Sequence, residues 1–277
     1  MSPWIIYIFV FVVGACLGSF INVVIHRLPR GFSLVSPGSM CPQCGAHITW
    51  YDNLPLLSYL ILRGRCRKCN ARISPRYLFV EFIVALLTLA VYMKFGFTLR
   101  ALFSLYLVLS LVAITFIDLD EMIIPDKITL PGITLGLLAA IIVPDWSLVG
   151  PWMGGWLISL GLTNFRLLSL SGSVLGLFLG GALVWFIFKL YYLVRKEEGI
   201  GGGDFTLLSM IGAFLGWRSV FVSLFLGAII GVAIVIVAAV WHRKLEARQR
   251  LPFGPFLSLA ALIYLFYGEA LIHWYLH

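Results

Sequence analysis

Apolar runs long enough to form membrane-crossing helices recur along the whole chain, and they constrain its fold more than any other feature. They lie at about 3–25, 78–94, 99–117, 128–143, 168–188, 205–216, 219–241 and 253–276. A hydrocarbon slab about 30 Å thick takes about 20 residues of helix at 1.5 Å each. Of the 277 residues, 61% are hydrophobic and only 12% charged, against roughly 25% charged in soluble domains. That much apolar surface needs lipid as its solvent. The expected fold is therefore an all-α polytopic membrane protein with about eight transmembrane helices. No Lys or Arg precedes the run at 3–25, and it lacks a small-residue cleavage site, so it is expected to persist as a spanning helix.

Lys and Arg accumulate in cytoplasmic loops, which makes the topology testable. With the N-terminus outside, sixteen of the 20 basic residues fall in inner loops, eight of them between Arg27 and Arg76. Only Lys94, Arg100, Arg166 and Arg218 remain outside. Trp146, Trp152 and Trp156 in the long outer loop suit an interfacial aromatic belt. The net charge of +8 is thus mainly a topology signal, and no nucleic-acid partner is expected.

One segment breaks the apolar pattern. Between Arg27 and Tyr77 the chain turns polar and basic, and it contains CPQCG with Cys41 and Cys44, then CRKCN with Cys66 and Cys69. Two Cys-x-x-Cys pairs separated by 21 residues come close to a four-thiolate zinc pattern, with a spacer slightly longer than the usual one of about 15–20. Each pair can fold as a tight knuckle that turns two thiolates toward one tetrahedral ion. Two disulfides or a redox pair are the alternatives, and a cytoplasmic, reducing location weighs against disulfides. A zinc held by four cysteines has no open position for water, so its role would be structural. His47 is a possible substitute ligand, and Cys16, in the middle of a helix, is expected to serve packing.

The intramembrane acids raise a different chemistry. GIGGGDF places Asp204 after a glycine run and before an apolar stretch of about twelve residues, too short to cross the slab alone. A carboxylate below the membrane surface is costly and usually functional. The glycines, Gly201 and Gly203 among them, permit a tight turn and close backbone approach. Alternatively, Asp204 is a helix N-cap. A second cluster, DLDEMIIPD, supplies Asp118, Asp120, Glu121 and Asp126. Asp118 ends an out-to-in helix and Asp204 starts an in-to-out one, so both face the cytoplasmic half. Two carboxyls brought together share a proton. One can then deprotonate water while the other protonates a carbonyl or leaving amine, which is aspartic-protease chemistry within a membrane. The glycine run fails as a dinucleotide loop, and neither a Gly-x-Ser-x-Gly elbow nor a His-Glu-x-x-His helix occurs.

Taken in order, GSFINVVIHRLP (Gly18 to Pro29), the two cysteine pairs, YDNLPLLSYLILRGRCRKC leading to ISPRY and Glu81, FIDLDEMIIPD, and GGGD (Gly201 to Asp204) resemble the type IV prepilin peptidase family across most of the chain. The resemblance implies a bifunctional leader peptidase and N-methyltransferase of the bacterial inner membrane, with its active site on the cytoplasmic side. It implies Asp118, opening a D-x6-P-D pattern that Pro125 and Asp126 close, and Asp204 as the catalytic pair. Asp120 and Asp126 are then expected to be local polar or capping groups. It also implies S-adenosylmethionine as methyl donor, for which no nucleotide loop is recognisable here. The organisation that follows is a first transmembrane helix (1–26), a cytoplasmic zinc-binding module (27–77) and a polytopic protease core (78–277). Two positions depart from the family: Thr206 stands where lysine is frequent, and Leu78 where proline is.

The substrates implied by the resemblance are type IV prepilins or pseudopilins, with a short basic leader ending in glycine followed by a hydrophobic segment. Such a segment can lie against spanning helices within the lipid bilayer. Asp120, Glu121, Asp126, Glu197 and Glu198 are candidates to attract the leader. An ion-coupled transporter using membrane carboxylates and a non-catalytic pilus or secretion assembly factor are the rival readings. Internal inverted repeats, which would favour transport, are not evident. If Glu197 and Glu198 attract the leader, reversing both to lysine raises KM for basic-leader peptides at low salt; an unchanged KM rules the attraction out.

Overall fold

A computed structural model describes residues 3–143, 164–196, 202–242 and 252–276. Trp146, Trp152, Trp156, Glu197, Glu198 and Gly201 lie outside these segments. The elements are helices: α1 (Pro3–Arg27), a 3-10 turn (Trp50–Asn53), α2 (Leu57–Ile61), α3 (Pro75–Phe95), α4 (Leu99–Glu121), α5 (Asp126–Ile142), α6 (Phe165–Arg195), α7 (Gly202–Leu215), α8 (Trp217–His242) and α9 (Gly254–Leu276). Among the described residues the only β pairing is two isolated bridges. Each of the eight apolar runs carries one helix. Five, α1, α3, α4, α6 and α8, are long and apolar enough to cross a membrane, while α7 and the Gly254–Gly268 part of α9 are shorter apolar helices. The chain is a multi-pass, all-helical membrane protein.

Local chemistry sets the helix ends. Ser74 caps α3 by accepting the Arg76 N–H at 3.3 Å, with Pro75 at the first helical position, where a missing N–H costs nothing. Asn164 caps α6 by accepting the Arg166 N–H at 3.0 Å. Gly96 follows α3 with φ +64, a left-handed stop that glycine adopts without strain.

The chain divides into two compact units, Met1–Ala101 and Leu102–His277. In the first, α1 lies along α3. A Cβ on Gly14 would stand 2.8 Å from the Ala85 Cα, and one on Gly18 2.6 Å from the Glu81 Cα. Small residues one turn apart allow such backbone proximity, which substitutes for the hydrophobic drive that helices lack in lipid. Asn22 adds a bond from its side-chain amide to the Tyr77 carbonyl at 3.0 Å. The opposite faces, with Ile8, Phe9 and Val12 on α1 and Phe79, Phe82 and Leu86 on α3, are exposed, as lipid-facing side chains are. Cys16 is exposed as well, so it does not serve the packing expected of it.

The second unit is built around α7. Leu207, Leu208, Met210, Ile211, Ala213 and Phe214 have no accessible surface, because neighbours cover the helix on all sides. Gly176 of α6 faces the Gly212 carbonyl, and a Cβ on Gly180 would lie 2.5 Å from the Leu208 carbonyl oxygen. A Cβ on Gly136 of α5 would lie 2.9 Å from the Ala213 carbonyl carbon, and Val220 of α8 packs on Gly212. Tyr106 of α4 stacks on Phe214 with ring centres 6.2 Å apart, while its hydroxyl donates to the Ile128 carbonyl. With 14 residues, α7 is about 21 Å long, short of a bilayer core; burial within protein removes the need to match lipid thickness.

This packing leaves no space between α6 and α7. Gly212→Leu is expected to cost at least about 1–3 kcal/mol, read as a lower unfolding midpoint in detergent. Phe225→Ala, at a side chain that is 72% exposed, should leave the midpoint where it is; equal midpoints for Gly212→Leu and wild type would contradict the packing.

Candidate active site and metal centre

The two cysteine pairs fold as near copies of each other. The Cys41 N–H donates to the Ala46 carbonyl and the Gly45 N–H to the Cys41 carbonyl, both at 2.9 Å. In the second copy Cys66 N–H donates to Ala71 and Asn70 N–H to Cys66, again at 2.9 Å. The residue after each second cysteine is left-handed, Gly45 at φ 66 and Asn70 at φ 59, and these are residue types that tolerate that region. Bridges Met40–His47 and Arg65–Arg72 close the knuckles, so His47 belongs to a bridge rather than to the sulfur cluster.

All four Sγ atoms lie within 4.8 Å of one another, an arrangement that could hold a metal ion. Cys41 and Cys69 Sγ are 3.8 Å apart, well beyond a bonded disulfide of about 2.05 Å, and the thiols are free. Backbone N–H groups of Cys44 and Gln43 hold the Cys41 thiol down to about 6. At Cys69 the Ala71 N–H acts the same way, but desolvation and hydrogen bonds with Cys44, Cys66 and Cys41 outweigh it and push the thiol up to about 12. Sulfurs this crowded resist joint ionisation unless a cation joins them. Arg67, inside the second knuckle, forms a bidentate pair with Asp52 at 2.7–3.0 Å. Its hydrogen bonds hold the Asp52 carboxyl below the usual range, and its guanidinium lies 5.7 Å from the Tyr51 ring centre. The pair fastens the 3-10 turn to the knuckle.

A second clamp joins the module to α3. Leu56, at φ 62 and ψ −51, donates its N–H to Glu81 Oε2 at 2.9 Å, and Ser58 Oγ donates to the Tyr51 carbonyl. Nearby, an open cleft of about 510 Å³ is lined by Tyr59, Arg63, Arg65, Arg72 and Ser74.

The carboxylates belong to the second unit. Asp118 lies in the last turn of α4, only 5% exposed, and accepts the Gly254 N–H at 3.0 Å. Left-handed Met122 closes the helix, its N–H donating to the Asp118 carbonyl at 3.0 Å, and the chain then turns through Ile124 and Pro125 into α5. Asp204 lies in the first turn of α7, which begins at Gly202. It is therefore inside the helix rather than a cap before it, and α7 starts earlier than its apolar run indicates. Asp204 is partly buried.

The surrounding residues explain how the two turns meet. A Cβ on Gly203 would lie 2.6 Å from the Ile124 Cβ, and one on Gly254 would lie 3.2 Å from Ile124 Cδ1 and 2.6 Å from Asp118 Oδ2. Ile124 is thus seated between two glycines. The Thr206 hydroxyl stands 3.3 Å from Asp126 Oδ1 and 3.0 Å from the Gly203 carbonyl oxygen, so Asp126 touches α7 across the chain rather than serving its own helix alone. Asp120 and Glu121 are exposed at the end of α4. Glu197, Glu198 and Gly201, singled out in the sequence, fall outside the described residues. Sequence reasoning missed Gly254, whose only signal is a glycine between two prolines, Pro252 and Pro255, at the start of an apolar run.

Residues 12–95 match the family described as Bacterial Peptidase A24 N-terminal domain, and residues 105–236 match the Type IV leader peptidase family. A prepilin leader peptidase/N-methyltransferase of Aeromonas hydrophila is 37% identical, covering 99% of this chain and 95% of the relative. Proteins of the same name from Pseudomonas aeruginosa (36%, covering 95% and 91%) and Legionella pneumophila (33%, covering 99% and 96%) are similar over nearly full length. No solved structure matches. Identity at this level over almost the whole of both chains shows that the chain belongs to the type IV leader peptidase family.

Proposed function

We propose that this protein is an intramembrane aspartic endopeptidase that removes the basic leader of type IV prepilins or pseudopilins, with Asp118 and Asp204 as its catalytic pair. The observation that carries the reading is that Ile124 packs both against Gly203, the neighbour of Asp204, and against Gly254, which meets the Asp118 carboxylate, so that two turns from remote parts of the sequence bring both acids to one place. A pair holding one proton contains both a base and an acid. One carboxylate takes a proton from water as the hydroxyl adds to the peptide carbonyl. The other donates its proton to the departing amine as the C–N bond breaks. Release of the two peptides and transfer of one proton restore the starting state.

The distribution of basic residues supports an N-out orientation in the inner membrane, with the pair on the cytoplasmic side. Exposed Asp120 and Glu121, close to Asp118 in sequence, are suited to draw in a basic leader. A transporter would need its membrane acids to bind or relay ions, and the names carried by the relatives favour peptide hydrolysis instead. In the first unit, four convergent sulfurs fit zinc, with Cys41, Cys44, Cys66 and Cys69 as ligands. Bound there, zinc would neutralise the thiolates and fix the two knuckles as one module.

The relatives' names also carry methyl transfer to the new N-terminus, with S-adenosylmethionine as donor by resemblance. Asn22 and Glu81 are engaged with Tyr77 and Leu56. No methyl-transfer step is assigned to these residues.

In detergent with a prepilin peptide, Asp118→Asn and Asp204→Asn should each abolish detectable cleavage while the unfolding midpoint holds. Cleavage surviving both substitutions refutes the assignment. Wild-type protein should carry about one zinc per chain, and Cys41→Ser with Cys66→Ser should remove it. Metal analysis showing none in the wild type, or full retention in the double variant, contradicts the zinc centre.

A further inference from the structure

The first turn of α9 accounts for its own hydrogen bonds in an unusual way. A helix start leaves backbone donors without intrahelical acceptors. Here the Phe256 and Leu257 N–H groups both turn back to the Phe253 carbonyl, at 3.1 and 3.2 Å. Pro255 has no N–H to offer. The one remaining donor, the Gly254 N–H, points at Asp118 Oδ2 at 3.0 Å, and the bond is buried. Gly254 has no alternative partner within its own turn, so the α9 terminus is committed to the Asp118 carboxylate.

The side-chain position is equally constrained. A Cβ at 254 would meet Asp118 Oδ2 at 2.6 Å and Ile124 Cδ1 at 3.2 Å. The first distance is too short for any real contact, so a side chain here must displace the carboxylate or the helix start. Ile124 links this contact to the other acid, because it also fills the space beside Gly203, the neighbour of Asp204.

We propose that Gly254 is a positioning residue for peptide hydrolysis: its N–H fixes the Asp118 carboxylate, and its bare Cα leaves the space in which Asp118 and Ile124 sit. The Pro252–Pro255 segment is thereby a third wall of the active site, alongside the Asp118–Asp126 turn and the start of α7. This rests on the reading of Asp118 as catalytic. The N–H and the missing Cβ act on the same oxygen, so bulk and donor can be removed separately.

Two variants test it on the full chain with a prepilin peptide. Gly254→Ala adds the Cβ and keeps the donor. Replacing Gly254 by glycolic acid, introduced by ligating a synthetic C-terminal segment, deletes the N–H and adds no bulk. Each should lower kcat by about tenfold to a hundredfold, the range that misplacing a reacting group costs, with KM within about twofold of wild type. Phe225→Ala, at an exposed side chain of α8, should leave kcat unaltered. If Gly254→Ala unfolds in detergent, the ester variant decides alone. A kcat for the ester within about twofold of wild type overturns the proposal, as does a loss that merely follows a lower unfolding midpoint. Cleavage by Asp118→Asn would instead overturn the catalytic assignment beneath it.

Discussion

A buried helix too short to cross the membrane is the constraint on which the second unit depends. Because Leu207 to Phe214 of α7 are covered by protein, the helix need not match the bilayer, and its more open first turn carries Asp204 at the edge of that covered stretch. Covering it so closely requires glycines: Gly176 and Gly180 on α6, Gly136 on α5 and Gly212 on α7 itself. The same economy of side chains continues to the acids, where Gly203 and Gly254 admit Ile124 between them. Placement of the two acids and helix packing are therefore one problem in this unit.

The first unit solves a different problem with a repeated device. Two short knuckles of the same hydrogen-bond pattern direct four sulfurs at one point, and two polar clamps secure them. Arg67 grips Asp52 within the module, while Glu81 takes the Leu56 N–H and ties the module to α3. The helix pair beneath it relies on Gly14 and Gly18 rather than on large apolar side chains. Bundling in lipid rewards close backbone approach, and bulky residues face outward.

Much of this was legible in the chain. Lipid demands about 20 consecutive apolar residues per crossing, so all eight long helices could be located from hydropathy, and the cysteine spacing alone placed a four-sulfur cluster. Boundaries were less legible. α1 runs on to Arg27 through polar His26 and Arg27, which give no hydropathy signal, and α6 continues past the charge of Lys189, which interrupts its apolar run, to Arg195. The start of α7 at Gly202 was hidden because glycines read as a loop. Contacts between distant segments were least legible of all. The Thr206–Asp126 contact turned a departure from the family pattern into a tie across the site, and Gly254 carries no titratable group to draw attention. Backbone donors and missing side chains leave almost no trace in composition.

Cross-linking in native membranes tests most directly whether the two acids meet. Asp118→Cys and Asp204→Cys would be combined in a Cys16→Ser background and treated with a short bifunctional thiosulfonate, then mapped by mass spectrometry. The account predicts a link joining positions 118 and 204, and none when Asp118→Cys is instead paired with Phe225→Cys on the outer face of α8. Efficient labelling of both introduced thiols without a link between them would contradict it.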